Sequence, residues 1–239
     1  MKAGGMGAPA LTVEDLHVQF GAFRAITALS LSIEYGEVHA VIGPNGAGKT
    51  TLLDVISGFT RPRSGRVMLD NQRDLTRQSD SEIARAGVRR KFQKPSVFMA
   101  LTVRENLEIG AGPGARPGAD MRLAETIGLS GDLDRIAETL AHGQKQWLEI
   151  GMVLASAPRV LMLDEPVAGL SDAETDRSAE LLIRLRAPDR AIVVVEHDMA
   201  FVERVADRVT VLHEGRTLFE GAMADARRDP RVIDVYLGR

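Results

Sequence analysis

The clearest chemistry in the chain lies in nine consecutive residues. Gly43, Pro44, Asn45, Gly46, Ala47, Gly48, Lys49, Thr50 and Thr51 follow the spacing G-x-x-x-x-G-K-[ST] of a phosphate-binding loop. Glycines let a backbone turn tightly and aim successive N–H groups at one point. A helix N-terminus adds about half a positive charge there. Lys49 is expected to reach the outer phosphates and the Thr50 hydroxyl to hold Mg2+. The flanks suit this chemistry: residues 37–42 (EVHAVI) read as a buried strand, and residues 49–57 as a helix with Leu52, Leu53, Val55 and Ile56. A plain glycine turn before a helix explains less of the pattern than a nucleoside triphosphate site does.

Other residues could complete such a site. The apolar run 160–163 (VLML) suits a central parallel strand and ends in Asp164-Glu165-Pro166. Carboxylates at the carboxyl end of such a strand sit where open α/β sheets bind ligands. Asp164 can hold Mg2+, and Glu165 can orient or deprotonate a water attacking the γ-phosphate. A second apolar strand, 191–195 (AIVVV), ends in Glu196-His197-Asp198, where His197 could donate to that phosphate or be a satisfied structural histidine. Gln93 stands between a strand-like piece and a loop with Pro95. Its amide oxygen could complete a Mg2+ or water shell, although a loop glutamine is more often simply solvated. Phe20 could stack on an adenine or face the core. Leu140, Ala141, His142, Gly143 and Gln144 open an amphipathic helix with Trp147, Leu148, Ile150, Val153 and Leu154 on its apolar face. A glycine at that helix start offers N–H groups to a second anion, and His142 is either a polar lid or a capping residue.

The elements that must position these groups alternate β and α. Residues 11–20 and 26–34 have period-two patterns and open the chain with a β-subdomain. Gly58 stops the first helix, residues 61–65 form a turn and 66–70 a short strand. Residues 79–86 read as a helix with a serine start, and Thr102 with Glu105 has capping-box spacing. Residues 111–118 are the most loop-like stretch, between helical patterns that continue over 119–128 and 132–140. Residues from about 93 to 157 therefore read as a helical subdomain inserted between strands. Residues 168–172 form a turn before a helix over 173–186, and Glu214-Gly215 turns a hairpin between strands 207–212 and 216–220. A short helical pattern closes the chain around Val232, Ile233 and Val235. Arg85, Arg89, Arg90 and Lys91 read as a solvated or ion-paired face rather than a nucleic-acid patch.

The bulk numbers narrow the class. The chain has 239 residues, 44% hydrophobic and 26% charged, enough for a substantial core. Its net charge of −3 argues against a general nucleic-acid binder. Without cysteine there is no disulfide framework. No apolar run approaches the ~18 residues of a membrane span. Residues 1–10 read as a flexible lead-in with no signal-peptide core, and residues 11–239 as one domain. A cytoplasmic protein whose membrane role comes through a partner is expected.

Taken together and in this order, the motifs resemble the nucleotide-binding subunit of an ABC transporter over nearly the whole chain. The resemblance implies an α/β P-loop NTPase of the ABC ATPase fold, with an N-terminal antiparallel β-subdomain, a RecA-like core and an inserted α-helical subdomain. It makes Phe20 the adenine-stacking aromatic, residues 43–51 the Walker A loop and Gln93 the Q-loop glutamine. Residues 140–144 become the signature motif, 161–164 Walker B, Glu165 the catalytic glutamate, 168–172 the D-loop and His197 the switch histidine. It further implies ATP and Mg2+ as ligands, and head-to-tail pairing with a second ABC ATPase in a homodimer or heterodimer. Transmembrane permease subunits at the inner face of the membrane and, indirectly, a solute-binding protein follow as partners. Ala141 replaces the usual signature serine, His142 the first glycine, and Ser171, followed by Asp172, the usual D-loop aspartate. The runs AHGQKQWLEIG, DEPVAGLSDAET, VVVEHDM and DPRVIDVYLGR resemble importer ATPases of the branched-chain amino-acid type, and urea-importer ATPases in particular. The expected solute is therefore urea, with branched-chain amino acids or a non-transport ABC ATPase as alternatives.

Overall fold

A computed structural model of the chain describes residues 8–92, 96–112 and 118–237. Two sheets organise it. The first is antiparallel and contains β1 (Leu11–Phe20), β2 (Phe23–Ile33), β4 (Ser64–Leu69) and β5 (Arg73–Asp74) in the order β2-β1-β4-β5. In β1, Leu11, Val13, Leu16 and Val18 are buried while the residues between them reach solvent, the alternation of a sheet with one covered face.

The second sheet has six strands. They are β3 (Val38–Ile42), β6 (Val88–Lys91), β7 (Val160–Asp164), β8 (Ala191–Val195), β9 (Arg208–His213) and β10 (Arg216–Gly221), in the order β10-β9-β3-β8-β7-β6. All neighbours are parallel except the hairpin β9–β10. Every residue of β3, β7 and β8 is buried, which is why residues 160–163 and 191–195 read as unbroken apolar runs, while β3 buries His39 among apolar neighbours. Their carboxyl ends therefore align at one edge, and the loops leaving that edge carry Gly43, Glu165 and Glu196.

Helix α1 (Lys49–Ile56) leaves β3, and α2 (Asp80–Arg85) precedes β6 with Ser79 and Glu82 closing a capping box. Between β6 and β7 come α3 (Val103–Ala111), α4 (Ala119–Thr126) and α5 (His142–Leu154). Their Leu107, Ala124, Leu148 and Ile150, with Ile127 just after α4, share one apolar cluster with Leu161, Leu163, Ile192 and Val194 of the sheet. This cluster also takes Leu181 and Leu182 of α6 (Asp172–Arg184) and Phe201 of α7 (Met199–Val205). Short helices α8 (Met223–Ala226) and α9 (Pro230–Leu237) end the chain, with Val232, Met223 and Ala226 in one apolar cluster with Val209 and Val211 of β9.

The helix expected over 132–140 is absent. Those residues form two short 3₁₀ turns, Ser130–Asp132 and Ala137–Thr139, joined by a turn at Leu133 and Asp134 and an extended Ile136. The reason is long-range pairing: Val103 N donates to Arg135 O, Arg104 N to Leu133 O, and Ala137 N to Leu101 O. These backbone groups are spent on Leu101 and the first turn of α3 and cannot close helical turns. The basic cluster also divides. Lys91 is 1% exposed and the Arg90 side chain 4%, both ion-paired, so this pair is buried structure and not a solvated face. Ala10, expected within the flexible lead-in, is fully buried in the first apolar cluster. Most of that lead-in, Gln93 and most of the 111–118 loop lie outside the described residues. No described helix is long and apolar enough to cross a membrane.

Candidate nucleotide site

The phosphate loop begins where β3 ends. Gly43 has φ 154°, and a Cβ there would lie 2.3 Å from the Leu212 carbonyl of β9, so the close approach of the two backbones demands glycine. The loop is braced from two sides. Gly215 N in the β9–β10 turn donates to Ala47 O at 3.1 Å, and Thr27 N of β2 donates to Gly215 O at 2.8 Å. Gly48, at φ 101°, is the N-cap of α1, and the N–H groups of Gly48, Lys49 and Thr50 have no hydrogen-bond partner among the described residues. An anion at this helix start would satisfy them.

Lys49 is folded back into this cradle. Its Nζ donates to Gly43 O at 2.7 Å and Pro44 O at 3.1 Å. Burial lowers its pKa, while the nearby carboxylates of Glu165, Asp164 and Glu196 oppose that shift. Lys49 therefore stands between backbone carbonyls and three acids at the sheet edge. Thr50 is exposed and Thr51 half-buried at the start of α1, and Asn45 and Gly46 face solvent.

Asp164 closes β7 and is buried. Its Oδ2 accepts from Arg90 Nη2 at 2.6 Å, and Arg90 Nη1 donates to Asp54 of α1 at the same distance. Arg90 was not legible as a site residue. Its only sequence signal was a place in a basic cluster beside Gln93. Thr50 and Asp164 offer a hydroxyl and a carboxylate, hard oxygen donors that suit Mg2+ when phosphate oxygens and water supply the remaining positions. Among the described residues no cluster of three acidic, histidine or cysteine side chains could cage a metal without that help. Gln93 lies outside the described residues. On either side of it, Glu149 of α5 pairs with Lys91 Nζ at 3.3 Å and accepts the Ser96 N–H.

Glu165 adopts a left-handed backbone at φ 48°, rare for a side chain with a Cβ, and its N–H donates to Val195 O at 2.9 Å. His197 follows β8 and its ring is largely exposed, with Nδ1 3.7 Å from Glu196 Oε2. Phe20 ends β1 directly opposite Phe23, which starts β2, across the Gly21-Ala22 turn. Cross-strand partners share a face, so two exposed aromatics stand side by side where sequence singled out one. The spacing of two aromatics around a two-residue glycine turn was the available signal.

At the second anion-binding start, much of the donor capacity is already used within the chain. Ala141 is the N-cap of α5, and its N–H donates to Gln144 Oε1 at 3.0 Å. Gly143 N donates to Glu174 Oε1 at 3.2 Å. The other oxygen of Glu174 accepts the Ser171 N–H at 3.0 Å and the Ser171 hydroxyl at 2.7 Å. One carboxylate thus joins residues 140–144 to the 168–172 turn. A Cβ on Gly143 would meet that carboxylate at 2.5 Å, which explains the glycine there. His142 is exposed, and its Nε2 would lie 3.5 Å from a Cβ on Gly169. Asp172 is exposed at the first turn of α6.

The family model described as ABC transporter matches residues 26–168, and the chain belongs to that family. It is therefore a nucleotide-binding ATPase subunit of the ABC class. A second model, branched-chain amino acid ATP-binding cassette transporter, matches residues 216–239. The chain is 36% identical to the high-affinity branched-chain amino acid transport ATP-binding protein BraF of Pseudomonas aeruginosa, over 98% of this chain and 99% of that one. It is 35% identical to LivG of Escherichia coli K12, which carries the same description, with the same coverage. Among solved structures, an ATP-binding cassette of an ABC transporter in its ADP conformation superposes with a TM-score of 0.87 at 31% identity, covering 97% of this chain and 99% of that one. A nucleotide-free cassette superposes with a TM-score of 0.86 at 31% identity. The expected ABC ATPase fold is thus the observed one.

Proposed function

We propose that this chain is the ATP-hydrolysing subunit of an importer for branched-chain amino acids. The observation that carries the solute class is the C-terminal match over residues 216–239, supported by full-length relatives described for the same transport. None of these relatives is described as a urea transporter, so the amino-acid alternative fits better than the urea reading of the sequence. The chain works at the inner face of the membrane against permease subunits, with a solute-binding protein acting through them.

The residues divide the work. The free N–H groups of Gly48, Lys49 and Thr50 receive phosphate oxygens, and Lys49 exchanges the carbonyls of Gly43 and Pro44 for the outer phosphates. Thr50 and Asp164 would hold Mg2+ with Gln93, and the ion would supply charge neutralisation at the outer phosphates. Glu165 orients the attacking water and His197 donates to the γ-phosphate. Phe20 stacks on the adenine. Ala141, His142, Gly143 and Gln144 face the ATP of a second ABC ATPase paired head to tail, in a homodimer or heterodimer, and Ser171 and Asp172 line the same junction. Because the Gly143 N–H is engaged by Glu174, the contact across the pair falls to His142 and the α5 start.

Uptake of labelled leucine and labelled urea, with and without this gene, tests the solute. Loss of leucine uptake alone supports the proposal, and loss of urea uptake alone overturns it in favour of urea. Glu165→Gln tests the chemistry: hydrolysis should fall by about a hundredfold or more while Mg-ATP still drives pairing visible by sizing.

A further inference from the structure

We propose that Glu196 is a positioning residue of the ATPase site: its buried carboxylate binds the backbone that follows Glu165 to the backbone that carries His197. This rests on the reading above that Glu165 and His197 serve hydrolysis.

Strands β7 and β8 run side by side and stay in register to their ends, with Asp164 beside Val195. One further rung forms when Glu165 N donates to Val195 O at 2.9 Å. The next residue, Pro166, has no N–H to continue the ladder. The next donor, Val167 N, instead finds Glu196 Oε1 at 3.1 Å. Oε2 of the same carboxylate accepts the His197 N–H at 3.0 Å and lies 3.5 Å from Asp198 N. Asp198 then caps α7 by accepting the Phe201 N–H at 2.9 Å. The side chain of Glu196 thus replaces a missing rung and fastens two loops at the point where the strands separate.

Glu196 is 0% exposed, and none of the expected site roles uses it. A buried carboxylate without strong partners would be displaced by an apolar residue or reach for water. Here its partners are the backbones of two loops that each bear a proposed catalytic group, two residues after Glu165 and at His197 itself. Its charge also reaches Lys49, together with those of Glu165 and Asp164. Burial pushes its pKa up, and the backbone N–H groups pull the other way. The loops after β7 and β8 therefore hold Glu165 and His197 in one fixed relation, and hydrolysis depends on that relation.

Glu196→Gln separates the two bonds. Its one amide oxygen can accept on only one side, so the NH2 group meets either the Val167 N–H or the His197 N–H donor to donor. The test combines Mg-ATP hydrolysis by the full chain with amide hydrogen exchange at Val167 and His197. The expected result is a kcat lowered about tenfold or more with the KM for ATP within about twofold. One of the two amides, Val167 or His197, should exchange faster in the variant while the other stays protected. An unchanged kcat overturns the proposal, as does a loss of kcat with no change in exchange at either Val167 or His197. Exchange in the wild-type chain gives an answer even if the variant fails to fold: unprotected amides at Val167 and His197 would refute the carboxylate tether. Glu165→Gln run beside it separates the two ideas. Hydrolysis at the wild-type rate in that variant removes the catalytic reading, whereas the exchange data judge the tether alone.

Discussion

Arg90 and Asp164 meet at 2.6 Å, guanidinium to carboxylate, with both side chains 4% exposed. The same guanidinium holds Asp54 of α1, and its carbon stands 4.8 Å from the centre of the Phe92 ring. Phe92 is itself edge-on to the exposed Phe59 at 5.2 Å. A carboxylate at the sheet edge is thus tied, through one arginine, to a pair of aromatics that reach solvent. Lysine cannot reproduce this forked geometry.

Replacing Arg90 by glutamine leaves Asp164 buried without its partner. We expect a loss of about 3 kcal/mol in stability by urea unfolding. Arg90→Lys should recover only part, because one ammonium does not span both carboxylates. A change below about 0.5 kcal/mol in Arg90→Gln would show that the pairing carries no weight, and one that small in Arg90→Lys would show that the forked geometry does not matter.

Lys91 and Glu149 form a second buried pair, 1% and 2% exposed in their side chains, joining β6 to α5. Removing one partner strands the other charge, so Lys91→Met or Glu149→Leu alone should cost about 3–5 kcal/mol. The double variant should recover most of that loss. Additive losses in the unfolding midpoints would mean that the two charges do not interact.

Glu174 gives the link between Gly143 and Ser171 a pH dependence. Its carboxyl sits below the ordinary value of 4.5, first because the Ser171 N–H donates to it, then the Ser171 hydroxyl, with a further contribution from Gly143 N–H. A depressed acid pKa means that the contact is complete above the ordinary glutamate range and is released as pH falls through the lowered value. The Gly143 amide resonance should follow that single titration in acid and lose it in Glu174→Gln. A Gly143 resonance that titrates equally in both would place its proton partner elsewhere.

Phe20 and Phe23 share one face at the hairpin end. Phe20→Ala should weaken ATP by about 1–2 kcal/mol, near tenfold in Kd, and leave inorganic tripolyphosphate unaffected. Phe23→Ala tests whether the second ring also meets the base. Equal losses for both ligands would show that neither aromatic touches adenine.

Much of the site was legible in sequence because its logic is local. Residues 43–51 are covalent neighbours, and a strand, glycines and a helix start place their N–H groups without help from distant parts of the chain. The same holds for β7 and β8, whose apolar runs declare burial on both faces, and for the Glu214-Gly215 turn. What the sequence could not decide depends on partners far along the chain. Arg90 read as one cation in a cluster until folding set it against residues 36 and 74 positions away. Residues 132–140 carried a helical pattern, yet their backbone pairs with Leu101 and the first turn of α3. Gly143 looked like an open anion site, and only the packing of α6 beside α5 showed its N–H held by a carboxylate 31 residues on. Spacing along the chain fixes which groups a single turn or strand end can present. The three-dimensional packing decides which of those groups are already satisfied, because a buried donor, acceptor or charge must find a partner wherever the fold supplies one.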